Sequence, residues 1–324
     1  MTQNRSEVRK VRVSTNEDGQ RIDNFLLKQL PGVPKSHVYR LLRSGQVRVD
    51  GGRAKAERKL VVGEEVRIPP VRMAEAGDTK RPPDSMTRRL REAIIHEDAH
   101  YLAVSKPAGL ASHAGSGVDF GVIEVARAWG THPWIELVHR LDRDTSGVLL
   151  LAKNREALLR AQRAFKNGTT IKKYFALLVG RWKGEDRDVN AALLRDAVSA
   201  GERLVRIVED DDDGKPSHSR FSPRQWYRDA TLMEVQIFSG RTHQIRVHSA
   251  ALGYPVVGDD KYGEREVNTP FRERGLKRMF LHSHLLQLPA EGDFEKLLIT
   301  APLPNELRDA LNGLPTAVDT RKRR

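Results

Sequence analysis

One interval, residues 69–89, divides this sequence into a short part and a long part. It reads PPVRMAEAGDTKRPPDSMTRR, contains four prolines and shows almost no apolar periodicity. This composition is typical of a linker, because prolines and scattered polar residues interrupt both helical and strand patterns. The sequence therefore predicts a domain at residues 1–68, a linker at 69–89, a larger domain at 90–311 and a basic tail at 312–324.

The short part carries the pattern of two helices followed by a hairpin. Apolar residues recur at helical spacing in RIDNFLLKQL and in PKSHVYRLLRSG, where we expect Ser36 to cap the helix and Gly45 to end it. QVRVDGGRA then alternates apolar and polar residues up to Asp50 and Gly51, a hairpin turn signal, and EEVRIPP predicts a further strand. The predicted order of this module is helix, helix, hairpin.

In the long part, segments with strand patterns outnumber helical ones and do not alternate with them regularly. The strand patterns are YLAVSKP, GVLLLAKN, YFALLVG, RLVRIV, ATLMEVQIF and MFLHSHLLQL, and NREALLRAQRAF is helical. Regular alternation would indicate a parallel α/β fold, so this order favours an α+β fold with a mixed, mainly antiparallel sheet. The acidic EDDDDG at 209–214 is expected to be a solvated turn.

Charge points to a polyanionic partner. The chain has 56 Lys and Arg against 43 Asp and Glu, a net charge of +13 and a pI near 10.0, and residues 1–68 alone hold 15 basic and 8 acidic residues. Nucleic acid is the expected partner. We expect no membrane partner, because there is no basic amphipathic helix with exposed aromatics and no apolar run of spanning length. With no apolar segment behind the charged start, a cytoplasmic location is expected.

Several chemistries are excluded by the residues themselves. The chain has no cysteine, which rules out disulfides, thiolate nucleophiles, cysteine-ligated zinc and the zinc deaminase signature. GSGVDFG at 115–121 does not match the dinucleotide fingerprint, and no GxxxxGK phosphate loop occurs. His282 and His284 alternate along a strand pattern with no carboxylate close in sequence, which argues against a metal cluster. We therefore expect neither a metal nor a cofactor.

The first candidate site is VHRLDRDTSGVLLLAKN, residues 138–154, where two aspartates and two arginines precede an apolar strand. A loop at the end of a rigid strand is a common place for chemistry. Ser146, His139 and Asp142 lie too close in sequence for a serine hydrolase triad, and no nucleophile elbow is present. From spacing alone, Asp142 could be a catalytic residue or, equally well, a residue that forms an ion pair or caps a turn. Spacing also does not show which of Asp142 and Asp144 would be catalytic.

The second candidate site is FSGRTHQIRVHSAALGYPVVGD, residues 238–259. It predicts a strand that ends near Phe238 and a helix capped by Thr242. This arrangement brings four polar side chains to one strand end: Arg241, His243, Gln244 and Arg246. Together with the aspartate loop, the arginines indicate an ionised carboxylate that is held by arginine and faces a polyanionic substrate.

These motifs carry a resemblance to a known family. HRLDRDTSGVLLLAKN, KKYFALLVG, GKPSHSRF and GRTHQIRVH, in this order, resemble the RluA-type pseudouridine synthases of the ribosomal large subunit, and residues 1–68 resemble an S4 RNA-binding domain. The similarity covers nearly the whole chain. It implies an enzyme that flips a uridine out of 23S rRNA, breaks its N1 glycosidic bond, rotates the uracil and reattaches it through C5, without cofactor or metal.

The resemblance also implies roles for individual residues. Asp142 is the implied catalytic carboxylate, acting at C1′, at C6 or in an elimination, and Arg246 its implied partner. Tyr174 is expected to stack on the flipped uracil and to help remove the C5 proton, and Arg140 to fill the gap in the RNA. The expected RNA-binding residues are Arg140, Arg241, His243 and Gln244 in the larger domain and Arg21, Lys35, Arg40 and Arg43 in the first module.

Two other functions remain open at this point. The chain could be a non-catalytic S4-type RNA-binding or ribosome-assembly protein, in which case Asp142 is dispensable. A nucleoside hydrolase acting on RNA normally needs an acid and a base or a metal-bound water, and no second well-placed carboxylate is evident. For the enzyme, we expect a monomer.

Overall fold

A computed structural model describes residues 7–30, 32–71, 81–115, 117–197, 203–208 and 213–316. The chain divides into two compact units, Met1–Arg81 and Pro82–Arg324. Most of the predicted acidic turn and the last eight residues of the predicted basic tail lie outside the described residues, as does the middle of the predicted linker. Those predictions stay predictions.

The first unit combines two helices with a four-stranded antiparallel sheet whose strand order is β1-β4-β2-β3. Phe25 and Leu41, from the two predicted helical faces, share one core with Val66 of the sheet. The elements are β1 (Arg9–Arg12), α1 (Ile22–Gln29), α2 (Lys35–Arg43), β2 (Arg48–Val49), β3 (Gly52–Arg53) and β4 (Glu65–Ile68).

The predicted order helix, helix, hairpin is confirmed, with β1 as an unpredicted addition. Asp50 and Gly51 both have positive φ, 46° and 77°, as the mirror-image hairpin turns require. The prediction that Ser36 caps α2 is wrong. The helix begins at Lys35, its N-cap is Pro34, and no side chain caps it. The extended conformation of Pro34 already ends the preceding loop, so Ser36 falls inside the helix.

The second unit is built on an eleven-stranded sheet with the path β11-β10-β12-β13-β9-β14-β8-β6-β5, to which β15 adds on β14 and β7 on β8. The β8–β14 pair is parallel, and the other described pairs are antiparallel. The predicted α+β class with a mainly antiparallel sheet is confirmed. Its elements are α3 (Asp84–Glu92), β5 (Ile94–Glu97), β6 (Tyr101–Lys106), α4 (Val122–Ala128), β7 (Glu136–Leu137), β8 (Ser146–Ala152), α5 (Arg155–Lys166), β9 (Ile171–Val179), β10 (Arg187–Ala197), β11 (Arg203–Val208), β12 (Lys215–Trp226), β13 (Ala230–Ile237), α6 (Gln244–Ala251), α7 (Arg265–Glu273), β14 (Leu281–Leu288), β15 (Leu297–Thr300) and α8 (Asn305–Asn312).

Helix α3 begins inside the interval that the sequence assigned to a linker. Leu90 is fully buried, and Met86, four residues earlier and hence on the same helix face, packs against the same core. Only two apolar residues define this face, so the helical period was too weak to recognise among the arginines of residues 84–89.

In the described part of the chain, no helix is long and apolar enough to cross a membrane.

The strand that follows the aspartate loop is central and buried along its whole length. All seven residues of β8 are buried. Gly147 has a φ of +109°, and a Cβ built on it would lie 2.1 Å from the carbonyl oxygen of Ser283 in β14. Glycine is therefore needed in the TSG sequence for the close approach of these two strands, and the contact fixes where the preceding loop leaves the sheet.

Candidate active site

Asp142 lies in the loop between β7 and β8, and the loop is fastened on both sides of it. The Ser112 hydroxyl donates to the Leu141 carbonyl (2.8 Å) and accepts from the Leu141 N–H (3.0 Å). The Thr145 N–H donates to the Asp142 carbonyl (3.2 Å). These bonds hold the backbone while the Asp142 side chain stays about one third exposed, at 32%, as a positioned reacting group requires.

A buried lysine supports the same loop. Lys106 is fully buried, and its ammonium donates to the carbonyl oxygens of Pro107 (3.1 Å), Leu110 (2.7 Å) and Arg143 (3.0 Å). Burial lowers the pKa of Lys106 to about 7. Lys106 was not among the predicted site residues, although a single lysine at the end of the apolar strand pattern YLAVSKP was a usable signal.

Arg246 connects Asp142 to a second carboxylate that the sequence analysis also missed. Its Nε and Nη2 atoms donate to Asp259 Oδ2 (2.7 Å) and Oδ1 (2.8 Å), whereas its Nη1 atom lies 3.9 Å from Asp142 Oδ2. Arg246 thus forms an ion pair with Asp142, as the resemblance implied, but its hydrogen-bonded partner is Asp259. Asp259 is the last residue of the stretch that drew attention to Arg246, but no local spacing rule relates the two residues.

The Arg246–Asp259 pair is fixed in its charged form. Burial by itself would raise the pKa of Asp259, but the hydrogen bonds and charge of Arg246 outweigh it, and the pKa lies below its usual value. Asp259 Oδ1 also accepts the backbone N–H groups of Lys261 (2.9 Å) and Tyr262 (3.1 Å). The edge of the guanidinium formed by Nε and Nη2 is therefore occupied by the Asp259 carboxylate. The remaining nitrogen, Nη1, is the one nearest Asp142.

His243 is a second neighbour of the Asp142 carboxylate. Its Nε2 atom lies 3.9 Å from Asp142 Oδ2. The Tyr262 hydroxyl accepts the Val205 N–H (3.0 Å) and lies at hydrogen-bond distance from His243 Nδ1 (2.8 Å), which orients the ring. Burial lowers the pKa of His243 to about 4, so at neutral pH this ring is an uncharged neighbour of Asp142.

The helix that carries these residues starts later than the sequence predicted. The N-cap of α6 is His243, with a left-handed backbone (φ 55°) and no side-chain cap, and not Thr242. Gln244, an expected RNA-binding residue, is buried at 3% exposure. Its amide nitrogen donates to the His218 carbonyl and the Ser219 hydroxyl, both at 2.9 Å, so we correct that role: Gln244 fastens α6 to β12.

The motif GKPSHSRF has its structural explanation in the same contact. His248 of α6 is fully buried between two serines of β12, with Nε2 at 2.9 Å from the Ser217 hydroxyl and Nδ1 at 3.0 Å from the Ser219 hydroxyl. Burial lowers the pKa of His248 to about 4. A neutral histidine with both ring nitrogens bonded locks α6, and with it Arg246, onto the sheet.

Tyr174 and Asp142 line one cavity of about 480 Å³, together with Arg140, Arg241 and Lys172. Tyr174 is 8% exposed. Burial raises the pKa of Tyr174 to about 12, so the side chain is a neutral phenol. The volume falls in the range of small-ligand pockets, and an aromatic wall beside a carboxylate can accept a planar base.

A second cavity of about 540 Å³ meets the first at Asp142. Its lining includes Asp144, Lys261, Lys277 and Arg278. Asp144 lines this cavity but not the one that holds Tyr174. The structure thus distinguishes the two aspartates that the spacing left equivalent: Asp142 is shared by both cavities and Asp144 is not.

Comparisons with known proteins agree with this geometry. The RNA pseudouridylate synthase family matches residues 100–251, and the S4 domain family matches residues 20–66. Ribosomal large subunit pseudouridine synthase C of Escherichia coli (strain K12) is 46% identical over 96% of this chain and 98% of that protein. The Haemophilus influenzae protein of the same name is 44% identical over 95% and 96%. The chain belongs to the RNA pseudouridylate synthase family.

Solved structures extend the likeness to the fold of this RNA pseudouridylate synthase. Human RNA Pseudouridylate Synthase Domain Containing 1 superposes with a TM-score of 0.58 at 28% identity, covering 71% of this chain and 91% of that one. Human RNA Pseudouridylate Synthase Domain Containing 4 gives 0.59 at 23% identity, with coverage of 71% and 95%, and supports the fold alone. The family resemblance and the S4 assignment made from the sequence are confirmed.

The serine hydrolase alternative finds no support in the geometry of this synthase. Ser146 is buried, and its hydroxyl donates to His282 Nδ1 (2.8 Å), while His282 Nε2 donates to the Ala301 carbonyl (3.1 Å). His139 Nε2 accepts the Leu150 N–H (3.1 Å), so this ring is not positioned as a base for Ser146. Among the described residues, no group of three or more His, Asp or Glu side chains could hold a metal ion.

The predicted RNA-binding residues of the first unit are of two kinds. Lys35, Arg40 and Arg43 of α2 are exposed and form no ion pair with the described residues. Arg21 instead pairs with Asp23 (2.6 Å), which also accepts the Tyr39 hydroxyl (3.0 Å). The three α2 cations are available to phosphates, whereas the Arg21 charge is already shared.

Proposed function

We propose that this protein isomerises uridines of large-subunit rRNA to pseudouridine, with Asp142 as the catalytic carboxylate. The Escherichia coli and Haemophilus influenzae relatives are pseudouridine synthases of the ribosomal large subunit. The observation that carries the assignment to Asp142 is its position. It lies where the two cavities meet, opposite Tyr174 in one and beside Arg246 in the other.

The charges around Asp142 suit a nucleophile. Arg246 and His243 each lie 3.9 Å away, so no short hydrogen bond from either occupies the Asp142 Oδ2 atom. Because Asp259 satisfies two nitrogens of Arg246, Asp142 stays free to form a bond, whether at C1′, at C6 or in an elimination.

Tyr174 is assigned to stacking and to the shape of the pocket. A phenol with a pKa of about 12 stays protonated at neutral pH, so it is a poor base for the C5 proton. Its buried ring beside Asp142 can support a flipped uracil. Arg140 and Arg241 are exposed at the mouth of the same cavity, where they suit the RNA backbone and the gap left by the flipped base.

The test is a pair of matched substitutions, Asp142→Asn and Asp144→Asn. Large-subunit rRNA transcribed with tritium on C5 of uridine releases tritium as C5 becomes bonded to the sugar. We expect Asp142→Asn to fold and bind RNA but to release none above background, since the amide keeps the shape of the side chain and loses its charge. Asp144→Asn should retain activity.

The non-catalytic alternative makes the opposite prediction for the same measurement. If the protein only binds RNA through its S4 domain, the wild-type protein itself would release no tritium, and both variants would bind RNA equally well. Activity of Asp142→Asn equal to that of the wild type would remove Asp142 from the mechanism while leaving the enzyme class intact.

A further inference from the structure

Lys172 is a buried cation of the active-site cavity that the proposed mechanism does not yet use. It lies on β9, two residues before Tyr174, and therefore projects from the same face of the strand. Both side chains line the cavity that contains Asp142. Lys173, between them, faces the other side of the sheet and pairs with Glu234 (3.1 Å).

The surroundings of the Lys172 ammonium leave most of its bonding capacity unused. The residue is 7% exposed. Its Nζ atom has one long hydrogen bond, 3.4 Å, to the Ser239 carbonyl, and lies 5.3 Å from the ring centroid of Phe165. Within the described residues it has no carboxylate partner. A buried ammonium with three donors and no counter-charge is costly to the fold, which suggests that a ligand supplies the missing acceptor.

The reaction produces such an acceptor at this place. When the bond between C1′ and N1 breaks, its electron pair stays with the uracil, and the charge spreads onto the carbonyl oxygens O2 and O4. When a carboxylate adds at C6 instead, the electron pair of the C5–C6 double bond moves towards O4. Both routes therefore place negative charge on a carbonyl oxygen of the base.

We propose that the Lys172 ammonium is a catalytic residue that donates a hydrogen bond to a carbonyl oxygen of the flipped uracil and stabilises the negative charge on the detached base. This role rests on the proposed function. It requires no transfer of the lysine proton, because the ammonium acts as a fixed donor to developing charge. The Phe165 and His139 rings, which stack at 5.3 Å, form the wall of the cavity beside this donor.

The charge state of Lys172 is compatible with that role at neutral pH. Burial lowers the pKa of Lys172 to about 8, so the cation prevails below pH 8 and is lost above it. Of the other titratable groups in this cavity, Tyr174 has a pKa raised by burial to about 12 and His139 one lowered by burial to about 4. Asp142, the exposed His113 and three arginines, Arg140, Arg143 and Arg241, complete the set.

The experiment compares Lys172→Met with Lys173→Met, which removes the same charge from the opposite face of the same strand. Single-turnover rates are measured with saturating enzyme on rRNA carrying tritium at uridine C5. We expect Lys172→Met to slow the reaction roughly 100-fold, as for the loss of one donor to a developing oxyanion. Lys173→Met should stay within about twofold of the wild type. RNA affinity should fall no more in the first variant than in the second.

Lys172→Arg and the pH profile separate a cation from a base. If Lys172 acts as a cation, Lys172→Arg should partly restore the rate. The wild-type rate should fall above about pH 8. This fall should move to higher pH in Lys172→Arg and should persist in His113→Gln. No rescue by arginine, with a wild-type rate that rises through pH 8, would overturn the proposal in favour of a general base. Equal rates for the Met variants would overturn it altogether. An inactive wild type would instead refute the proposed function itself.

Discussion

The charged residues of this protein fall into two groups that differ in burial and in partners. On α2 of the first unit, Lys35, Arg40 and Arg43 are exposed and have no ion pair among the described residues. In the second unit, the Asp259 side chain is fully buried and bonded to Arg246, and Lys106 is fully buried with three carbonyl partners. The same residue types thus serve two purposes.

The two groups differ in how much a single charge contributes to RNA binding or to the stability of the fold. Exposed cations contribute to the binding of a polyanion additively, each through one displaced counterion, so individual losses are small. A buried charge has a desolvation cost that only its own partners offset, so removal of one partner leaves the other uncompensated. We expect single substitutions to have large effects in the buried group and small effects in the exposed group.

The largest effect is expected for Asp259→Asn. The change leaves the buried Arg246 guanidinium without its carboxylate and should lower the free energy of unfolding by about 3 to 5 kcal/mol. Chemical denaturation measures it. Because the pKa of Asp259 is held below its usual value in the folded protein, its stabilising contribution is present above about pH 4 and is lost as the pH falls further. The variant should therefore show less acid destabilisation than the wild type.

Asp260→Asn is the matched control for this prediction. Asp260 is the next residue, 71% exposed, and pairs with Arg272. An exposed pair of this kind contributes little, so its removal should change neither stability nor its pH dependence measurably. If both variants unfolded at the same denaturant concentration, the buried pair would not be a stabilising unit and the contrast between the two groups would fail.

A smaller effect is expected for Lys106→Met. Methionine fills the space but leaves buried carbonyls without their donor, which should cost about 2 kcal/mol and loosen the loop that holds Asp142. The sign of the pH dependence is a second measurement. Between pH 7 and 10.5 the unfolded chain still holds the proton that folded Lys106 has lost, so wild-type stability relative to the variant should rise with pH in this window.

Lys35→Met provides the exposed counterpart. Loss of the exposed Lys35 ammonium leaves no buried acceptor without a donor. The unfolding curve of Lys35→Met should therefore coincide with that of the wild type at every pH. A flat pH dependence for the difference between wild type and Lys106→Met would show that Lys106 keeps an ordinary pKa despite its burial.

The elements of both units could be predicted where the signal was local. The helix NREALLRAQRAF was recognisable from its period, because one face of it is buried. The strands around GVLLLAKN and ATLMEVQIF were recognisable as short apolar runs, because all or most of their residues are buried. α3 was missed because two apolar residues are too few to define a period. The start of α6 was misplaced because His243 adopts a left-handed conformation that sequence preference assigns to glycine or asparagine.

The candidate site was predictable only in part, for a different reason. Asp142, Tyr174 and Arg246 were recognised through their family motifs, and the structure brings them together. Asp259 and Lys106 were not recognised, because their contacts join residues 13 and 37 positions apart and depend on the tertiary fold. Gln244 was misassigned because a polar residue in a functional motif can equally well be a buried fastener.

The smallest effects are expected among the exposed cations of α2. Removal of one phosphate contact should lower the slope of log K against log salt by roughly 0.7 to 0.9, so Lys35→Ala, Arg40→Ala and Arg43→Ala should each flatten it slightly and the triple variant by about the sum. Lys10→Ala is the control, since Lys10 is exposed in the same unit but pairs with Glu65 (2.8 Å). Filter binding of rRNA over a range of salt concentrations gives the slopes, and tritium release at saturating RNA should be unchanged in all five variants. A single variant that abolished binding would show that one α2 side chain acts as a specific, desolvated contact, and the division between additive exposed charges and individually decisive buried ones would no longer hold.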